Sequence, residues 1–390
     1  MTETKIEIWS PLIQESGTDW LEYNDESKEK VTRHLAQLLQ SESLTALAGC
    51  GCSCQLDKNG KPAGGPGMGD LWTLADEPTK TEIIKITNYD GEKNIENLLS
   101  HCEASLAFIS AKKDREKVDG FLEKMRESIR KRCTDFLAEK SSFNITAHID
   151  FLRRVARRPA NKNRFMLYTT NYDLCFEKSA SQAQFVIIDG FSFTSPRQYD
   201  PAYYGYDIVR KLDYSKQTNV PIEALFYLYK LHGSVNWDET DTGIVQNDSP
   251  KHPCMIYPAS SKYQSSYRQP YLEMVSRYLQ AIRQPSNTLL VLGFGFADDH
   301  LVAPIQSALR SNNEFRMVIV DPNIKESLIA GKGNYAEIKQ WQGNNDPRLT
   351  FINSTFSQFV NLVPEIYKPT AGENLVESVK KIAKSTGNGS

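Results

Sequence analysis

The feature that most constrains the fold is a set of short apolar runs, each of which stops abruptly at small or polar residues. Phe165-Met166-Leu167 reads as a buried strand and runs into Tyr168-Thr169-Thr170-Asn171-Tyr172-Asp173, which brings hydroxyl, amide and carboxylate groups to the strand's carboxyl end. A second run, Leu225 to Leu231, stops in the same way at His232-Gly233-Ser234. Open α/β folds bind ligands at that edge of the sheet, so two strands deliver an Asn and a His to one crevice. Unperturbed, His is the side chain that titrates near neutrality. Taken singly, Asn171 and His232 read equally as satisfied polar groups. Their shared position at strand ends, together with a glycine loop, favours a site.

That loop follows a strand at Leu44 to Ala48 and reads Gly49-Cys50-Gly51-Cys52-Ser53. Closely spaced glycines after a strand let backbone N–H groups approach a phosphate without side-chain obstruction. A plain surface loop is the competing reading. The next segment, Lys61 to Trp72, stays rich in Gly and Pro and reads as a cover over the loop.

A further strand, Thr288 to Leu292, enters a second glycine turn, Gly293-Phe294-Gly295-Phe296-Ala297-Asp298-Asp299-His300. There Asp298 or Asp299 either caps the following helix or faces a ligand, and His300 reads as structural. Arg316 to Val320 is a strand ending at Asp321. An acidic residue at such a position commonly takes the hydroxyls of an adenine ribose in dinucleotide-binding sheets, with helix capping as the alternative. Phe185 to Asp189, Cys254 to Tyr257 and Leu349 to Ile352 read as further strands, and Phe356 to Leu362 as a closing helix.

The spacing divides the chain into an N-terminal helical segment (1–43), an α/β body (44–74 and 160–365), a helical insertion (75–159) and a polar tail (366–390). Val31, Leu35 and Leu38 recur at helical spacing in the first segment. In the insertion, Val118, Leu122, Met125, Ile129, Cys133 and Phe136 keep one apolar stripe between charged residues. Ile95 to Leu99 and Ile145 to Val155 supply further helical pieces, and the whole reads as a wall of the cleft or an oligomer contact. Arg153-Arg154 and Arg157-Arg158 form a basic cluster that fits a solvated helical face or subunit contact better than nucleic acid. In the tail, Leu375, Val379 and Ile382 are spaced for one amphipathic helix, with a frayed terminus as the alternative.

Composition adds limits. A 390-residue chain with 40% hydrophobic and 24% charged residues is an ordinary globular protein, and its net charge of -2 argues against a broad nucleic-acid surface. Neither a signal-peptide pattern nor a long apolar span is present in the sequence, so a cytoplasmic location without membrane contact is the expectation. None of the seven cysteines forms a CxxC pair, so no metal site is expected, and Cys50-Gly51-Cys52-Ser53-Cys54 fits small residues in a tight loop.

Four fragments in order, Ala48 to Ser53, Thr169 to Asp173, Lys230 to Ser234 and Gly293 to His300, resemble the sirtuin (silent information regulator) superfamily. The likeness is specifically to its bacterial branch of sirtuin-like NAD-cleaving antiphage defence proteins. The resemblance runs from about Leu44 to Phe359. It implies an α/β fold with a Rossmann-like parallel sheet flanked by helices, binding NAD as a substrate. Gly49, Gly51 and Ser53 would lie at the pyrophosphate, and Thr170 would also bind the cofactor. Asn171 would work at the nicotinamide ribose, His232 as the essential base and Asp173 near the nicotinamide. Gly293 would lie at the phosphate–ribose segment and Asp321 at the adenosine end.

Two departures bear on the reaction. Val235 to Pro253 contains no cysteine, which leaves out the zinc module of deacylase-type sirtuins, and Gly67 to Trp72 lacks the Phe-Arg end of their cofactor loop. An acyl-lysine tunnel is therefore poorly supported, and water remains as the nucleophile. The expectation is an NAD hydrolase that depletes the cofactor in abortive-infection defence. An NAD-dependent protein deacylase and a non-catalytic module sensing NAD or ADP-ribose stand as alternatives. Unregulated NAD hydrolysis harms the cell that makes it, so control by homo-oligomerisation or by a partner is expected. In related defence systems a HerA-type ring ATPase plays that part.

Overall fold

The computed structural model describes residues 5–14, 19–56, 61–138, 141–213, 218–255, 269–367 and 378–379. Its centre is a nine-stranded sheet with the order Leu21–Glu22, Glu7–Trp9, Leu349–Asn353, Arg316–Val320, Asn287–Leu292, Ser43–Ala48, Phe165–Thr169, Leu225–Lys230, Val186–Ile188. From Leu349–Asn353 onward every pairing is parallel. Parallel neighbours need crossovers, and crossover helices cover both faces of the sheet.

That double cover explains why these strands read as unbroken apolar runs. Ser43–Ala48 and Asn287–Leu292 are buried at every position. Along the second of these, Leu289 and Val291 pack with Tyr278, Ile282, Leu301 and Ile305 on one face. Leu290 and Leu292 pack with Leu35, Leu38 and Phe359 on the other. The result is an α/β, Rossmann-like architecture.

The chain leaves Ser43–Ala48 toward Phe165–Thr169 on one side and leaves Asn287–Leu292 toward Arg316–Val320 on the other. The direction of winding reverses between these two central strands. Such a switch point opens a crevice at the carboxyl ends, where doubly wound sheets bind ligands.

The N-terminal segment is not helical throughout. Lys28–Leu39 is a helix with Val31, Leu35 and Leu38 buried, but Glu7–Trp9 and Leu21–Glu22 add antiparallel strands to the sheet edge. Three- and two-residue strands carry too little alternation to be read from sequence. After His232 the chain forms a second, three-stranded sheet of Gly243–Gln246, Gly233–Thr240 and Pro253–Met255. The strand expected at Cys254 to Tyr257 thus starts at Pro253 and pairs outside the central sheet, and residues 256 and 257 lie outside the described residues.

Helices Glu77–Thr87, Ile95–Ser105 and Lys112–Asp135 follow the glycine-rich cover. Their apolar stripes, including Ile83, Leu98, Leu99, Leu122 and Ile129, form a third cluster that also takes in Tyr172, Val235 and Met255. Thr146–Phe151 and the turn at Leu152–Ala156 pack with the body instead. Two members of the basic cluster are spent inside the molecule. Arg158 is buried and donates to the carbonyls of Leu39 at 2.7 Å and Glu42 at 3.0 Å, and Arg154 to those of Val360 at 2.8 Å and Val363 at 3.0 Å. No described helix is long and apolar enough to cross a membrane. Of the tail helix, Leu375 and Ile382 lie outside the described residues.

Candidate functional site

Across the carboxyl edge of the sheet the register aligns Val320, Leu292, Ala48, Thr169 and Lys230. The residues just past that row are Asp321, Gly293, Gly49, Thr170 and Leu231. With strands about 4.8 Å apart, the row spans about 19 Å. Asn171 and His232 each lie two residues beyond a paired position, Thr169 and Lys230, on adjacent parallel strands. The paired positions that lead into the two segments expected to carry the chemistry are one strand spacing apart.

The glycines are fixed by contact between two loops. A Cβ on Gly49 would lie 2.6 Å from the Gly293 carbonyl oxygen, and one on Gly51 would lie 2.7 Å from Gly293 Cα. Gly293 itself has φ +54° and would press a Cβ to 2.6 Å from Gly51 Cα. Gly49 N–H donates to Leu292 O at 2.9 Å and Gly51 N–H to Gly293 O at 3.0 Å. These donors hold the loops together, which is a different use from cradling a phosphate. The cover behaves similarly: Gly65 N–H donates to Ser53 O at 2.8 Å, and a Cβ on Gly64 would meet that oxygen at 2.0 Å. Gly64 to Pro66 is buried against the loop.

Ser53, Asn171 and Asp173 form one network. Ser53 Oγ donates to Asp173 Oδ2 at 2.7 Å, and Asn171 Nδ2 donates to Ser53 Oγ at 3.1 Å. Asp173 Oδ1 accepts from Cys175 N–H at 2.9 Å, at the start of the helix Cys175–Ala183. The three residues are 2%, 8% and 8% exposed, so a ligand reaching Asn171 must exchange bonds with this network. Asn171 N–H donates to Thr169 Oγ1 at 3.1 Å, and Thr170 N–H to Ala48 O at 3.1 Å, which pins the segment to the glycine-loop strand.

His232 is joined to Asp298, not to Asn171: its Nε2 lies 3.2 Å from Asp298 Oδ2. Asp298 Oδ1 accepts from His300 N–H at 3.0 Å, so one carboxylate both caps the helix Asp299–Ser311 and pairs with the imidazole. Burial pushes the Asp298 carboxyl up, but the hydrogen bond and charge of His232, with help from His300, outweigh it and hold the group below its ordinary value. Asp298 therefore stays ionised at neutral pH. Asp299 accepts from Asn334 Nδ2 at 2.8 Å, and His300 is exposed.

Two buried charged residues outside the expected site set hold the Asn-Tyr-Asp segment. Lys230, 2% exposed, donates to the carbonyl oxygens of Tyr172, at 3.3 Å, and Asp173, and to Glu177 Oε1 at 2.9 Å. A lysine closing an otherwise apolar strand is the available signal. The second is Glu96 of the insertion, whose Oε1 accepts from the Tyr172 hydroxyl at 2.7 Å. No local sequence signal distinguishes it from its neighbours.

Asp321 stands at the far end of the row. Its N–H donates to Ile352 O at 3.2 Å and its Oδ1 accepts from Asn323 N–H at 2.7 Å. Burial, with Glu326 adding to it, pushes its carboxyl up against the pull of the Asn323 N–H. The row along the edge thus carries a carboxylate at one end, glycines packed on one another's backbone in the middle, and at the other end the Asn171 amide and the His232–Asp298 pair. Among the described residues no group of three or more His, Cys, Asp or Glu side chains is arranged to hold a metal.

No curated protein matches the chain. Residues 166–344 match the family described as SIR2-like domain. The match contains Asn171, Asp173, His232, Gly293, Asp298 and Asp321, whereas the glycine loop at 49–53 lies before it and joins through the pairing of Ala48 with Thr169. Over residues 166–344 the chain is thus similar to a SIR2-like, sirtuin-type domain, and the chemistry this points to is NAD-related.

Proposed function

We propose that the protein is an NAD glycohydrolase that cleaves the nicotinamide–ribose bond to give nicotinamide and ADP-ribose. The observation that carries this reading is the pairing of Thr169 with Lys230 on neighbouring parallel strands, two residues before Asn171 and His232, together with Asp298 at 3.2 Å from the imidazole. Cleavage builds oxocarbenium character on the ribose, so a site helps by fixing the sugar and aiming a nucleophile at its open face. The Asn171 amide offers a donor and an acceptor to a ribose hydroxyl or to water. As water adds to the anomeric carbon, the electron pair of the breaking C–N bond goes to the pyridinium nitrogen and nicotinamide leaves neutral. The proton from water passes to His232 and then to solvent. Asp298 stabilises the imidazolium in the interval.

In a cell this reaction depletes NAD, which suits antiviral defence by abortive infection and calls for control by self-assembly or by a partner such as a HerA-type ring ATPase. The test is nicotinamide release from NAD by wild type, Asn171→Ala and His232→Ala, each alone over a range of protein concentrations and with such an ATPase. Wild type is expected to release nicotinamide without any acyl-lysine peptide, and each variant to lose about 100-fold or more. Release that requires the peptide would make the protein a deacylase instead. NAD binding with no release under any of these conditions would make it a sensing module.

A further inference from the structure

Glu96 is a carboxylic acid in an unfavourable place: it is 8% exposed and lies within the apolar wall formed by the insertion. Asn94 starts its helix, Ile95–Ser105, by accepting from Glu96 N–H at 2.9 Å and Asn97 N–H at 3.2 Å, which places Glu96 in the first turn of that helix. Burying a carboxyl is costly unless it is hydrogen-bonded, and the bond Glu96 makes is to the Tyr172 hydroxyl.

Tyr172 sits between Asn171 and Asp173. Asn171 and Asp173 both bond Ser53 Oγ, while the Tyr172 ring belongs to the insertion's cluster. Its carbonyl is held by Lys230 Nζ and by Val235 N–H at 3.0 Å. The phenol is a further handle on the segment. Its ring centroid is also 6.4 Å from that of His232.

We propose that Glu96 is a positioning residue of the NAD site, through which the helical insertion holds Tyr172 and thereby sets Asn171 and Asp173 against His232. This rests on the NAD-cleavage reading for its kinetic consequence and on the hydrogen-bond geometry for its structural one. The insertion is then part of the working site, since its helix Ile95–Ser105 supplies the acceptor for the Tyr172 phenol.

The experiment compares full-length wild type, Glu96→Gln, Glu96→Ala and Tyr172→Phe by steady-state nicotinamide release and by amide hydrogen exchange over 170–176. Glu96→Gln keeps an acceptor for the phenol and is expected to retain most of the activity. Glu96→Ala and Tyr172→Phe are expected to lower kcat roughly 10–100-fold with KM changed less than about threefold, and to speed exchange at 171–175. Tyr172→Phe removes one oxygen from a packed ring, so it reports even where Glu96→Ala folds poorly. Wild-type kcat in Glu96→Ala and Tyr172→Phe, a loss confined to KM, or unchanged exchange would overturn the proposal. Should wild type itself release no nicotinamide, the NAD-cleavage reading falls while exchange still decides the role of Glu96: faster exchange upholds its grip on the segment, and unchanged exchange rejects it.

Discussion

His232 and Asp298 meet at 3.2 Å although their strands, Leu225–Lys230 and Asn287–Leu292, are separated by Ser43–Ala48 and Phe165–Thr169. Three strand spacings, about 14 Å, lie between those strand ends, so the two loops reach toward each other over the ends that carry Gly49 and Thr170. The pair thus orients the imidazole and ties the two sides of the crevice together. Asp298→Asn keeps an oxygen for the His300 N–H cap but removes the carboxylate that stabilises an imidazolium. We expect kcat for nicotinamide release to fall about 100-fold or more with thermal stability nearly unchanged. A variant with wild-type kcat would show that the pair is only a structural tie.

Lys230 carries a separate prediction, one of stability. Burial holds the Glu177 carboxyl above its ordinary value although the charge and hydrogen bond of Lys230 pull the other way, the mark of a pair that depends on both partners. Lys230→Met removes a donor from Glu177 and from the carbonyls of Tyr172 and Asp173, and is expected to cost about 3–5 kcal/mol in denaturant unfolding. The double variant Lys230→Met/Glu177→Leu should recover part of that loss, because the carboxylate left unpaired is then gone as well. Equal losses in the single and double variants would place the cost in packing instead.

The touching glycines allow a control inside one loop. Gly51→Ala puts a methyl 2.7 Å from Gly293 Cα, and Gly293→Ala adds a positive φ to a comparable clash, with backbone as the obstacle in both cases. Gly295, two residues on, is exposed, and a methyl group there would meet nothing within 4 Å. Gly51→Ala and Gly293→Ala should each destabilise by about 1–3 kcal/mol and weaken NAD binding, whereas Gly295→Ala should stay within about 0.5 kcal/mol of wild type. Calorimetric melting and NAD titration of the three proteins would decide it, and a neutral Gly51→Ala would mean that the loops can part without loss.

Much of the central sheet is legible in the sequence because strands buried on both faces must be apolar throughout, as Ser43–Ala48 and Asn287–Leu292 are. The motif positions are legible for the same reason: polar residues that interrupt such runs mark the carboxyl edge. What escapes is structure held by distant partners. Glu7–Trp9 is a strand because Leu349–Asn353 offers it an edge, and nothing in three residues announces that. Asp298 reads as a helix cap or a ligand residue. Its pairing with His232, 66 positions away, exists only in the folded chain. Glu96 and Tyr172 are likewise an ordinary pair of residues until helix packing brings them to 2.7 Å. The glycines stand out in the sequence but only part of their reason does, since sequence shows that side chains are missing and not which backbone fills the space.

Two buried histidines away from the chemistry set the expected acid limit of the fold. Burial, with Arg316 adding to it, holds His34 down at about 4, and burial holds His148 at about 4 against the opposing pull of Asp173. Both values lie below the ordinary 6.5 of an unfolded chain. As pH falls through about 6.5 the unfolded chain binds protons that the folded chain refuses, so their contribution is whole above that pH and declines until the folded groups titrate near pH 4. Between pH 7.5 and pH 5 each should remove on the order of 2 kcal/mol. His34 has the Thr350 hydroxyl at 2.9 Å. Neither ring nitrogen of His148 has a partner among the described residues, and its ring lies 4.9 Å from that of Phe356 and 5.1 Å from that of Phe176. His148→Phe is therefore expected to match or exceed wild-type stability at pH 7.5 and to lose about 2 kcal/mol less on going to pH 5. Urea unfolding at the two pH values measures both quantities, and an unchanged pH slope in His148→Phe would move the source of acid sensitivity to other groups.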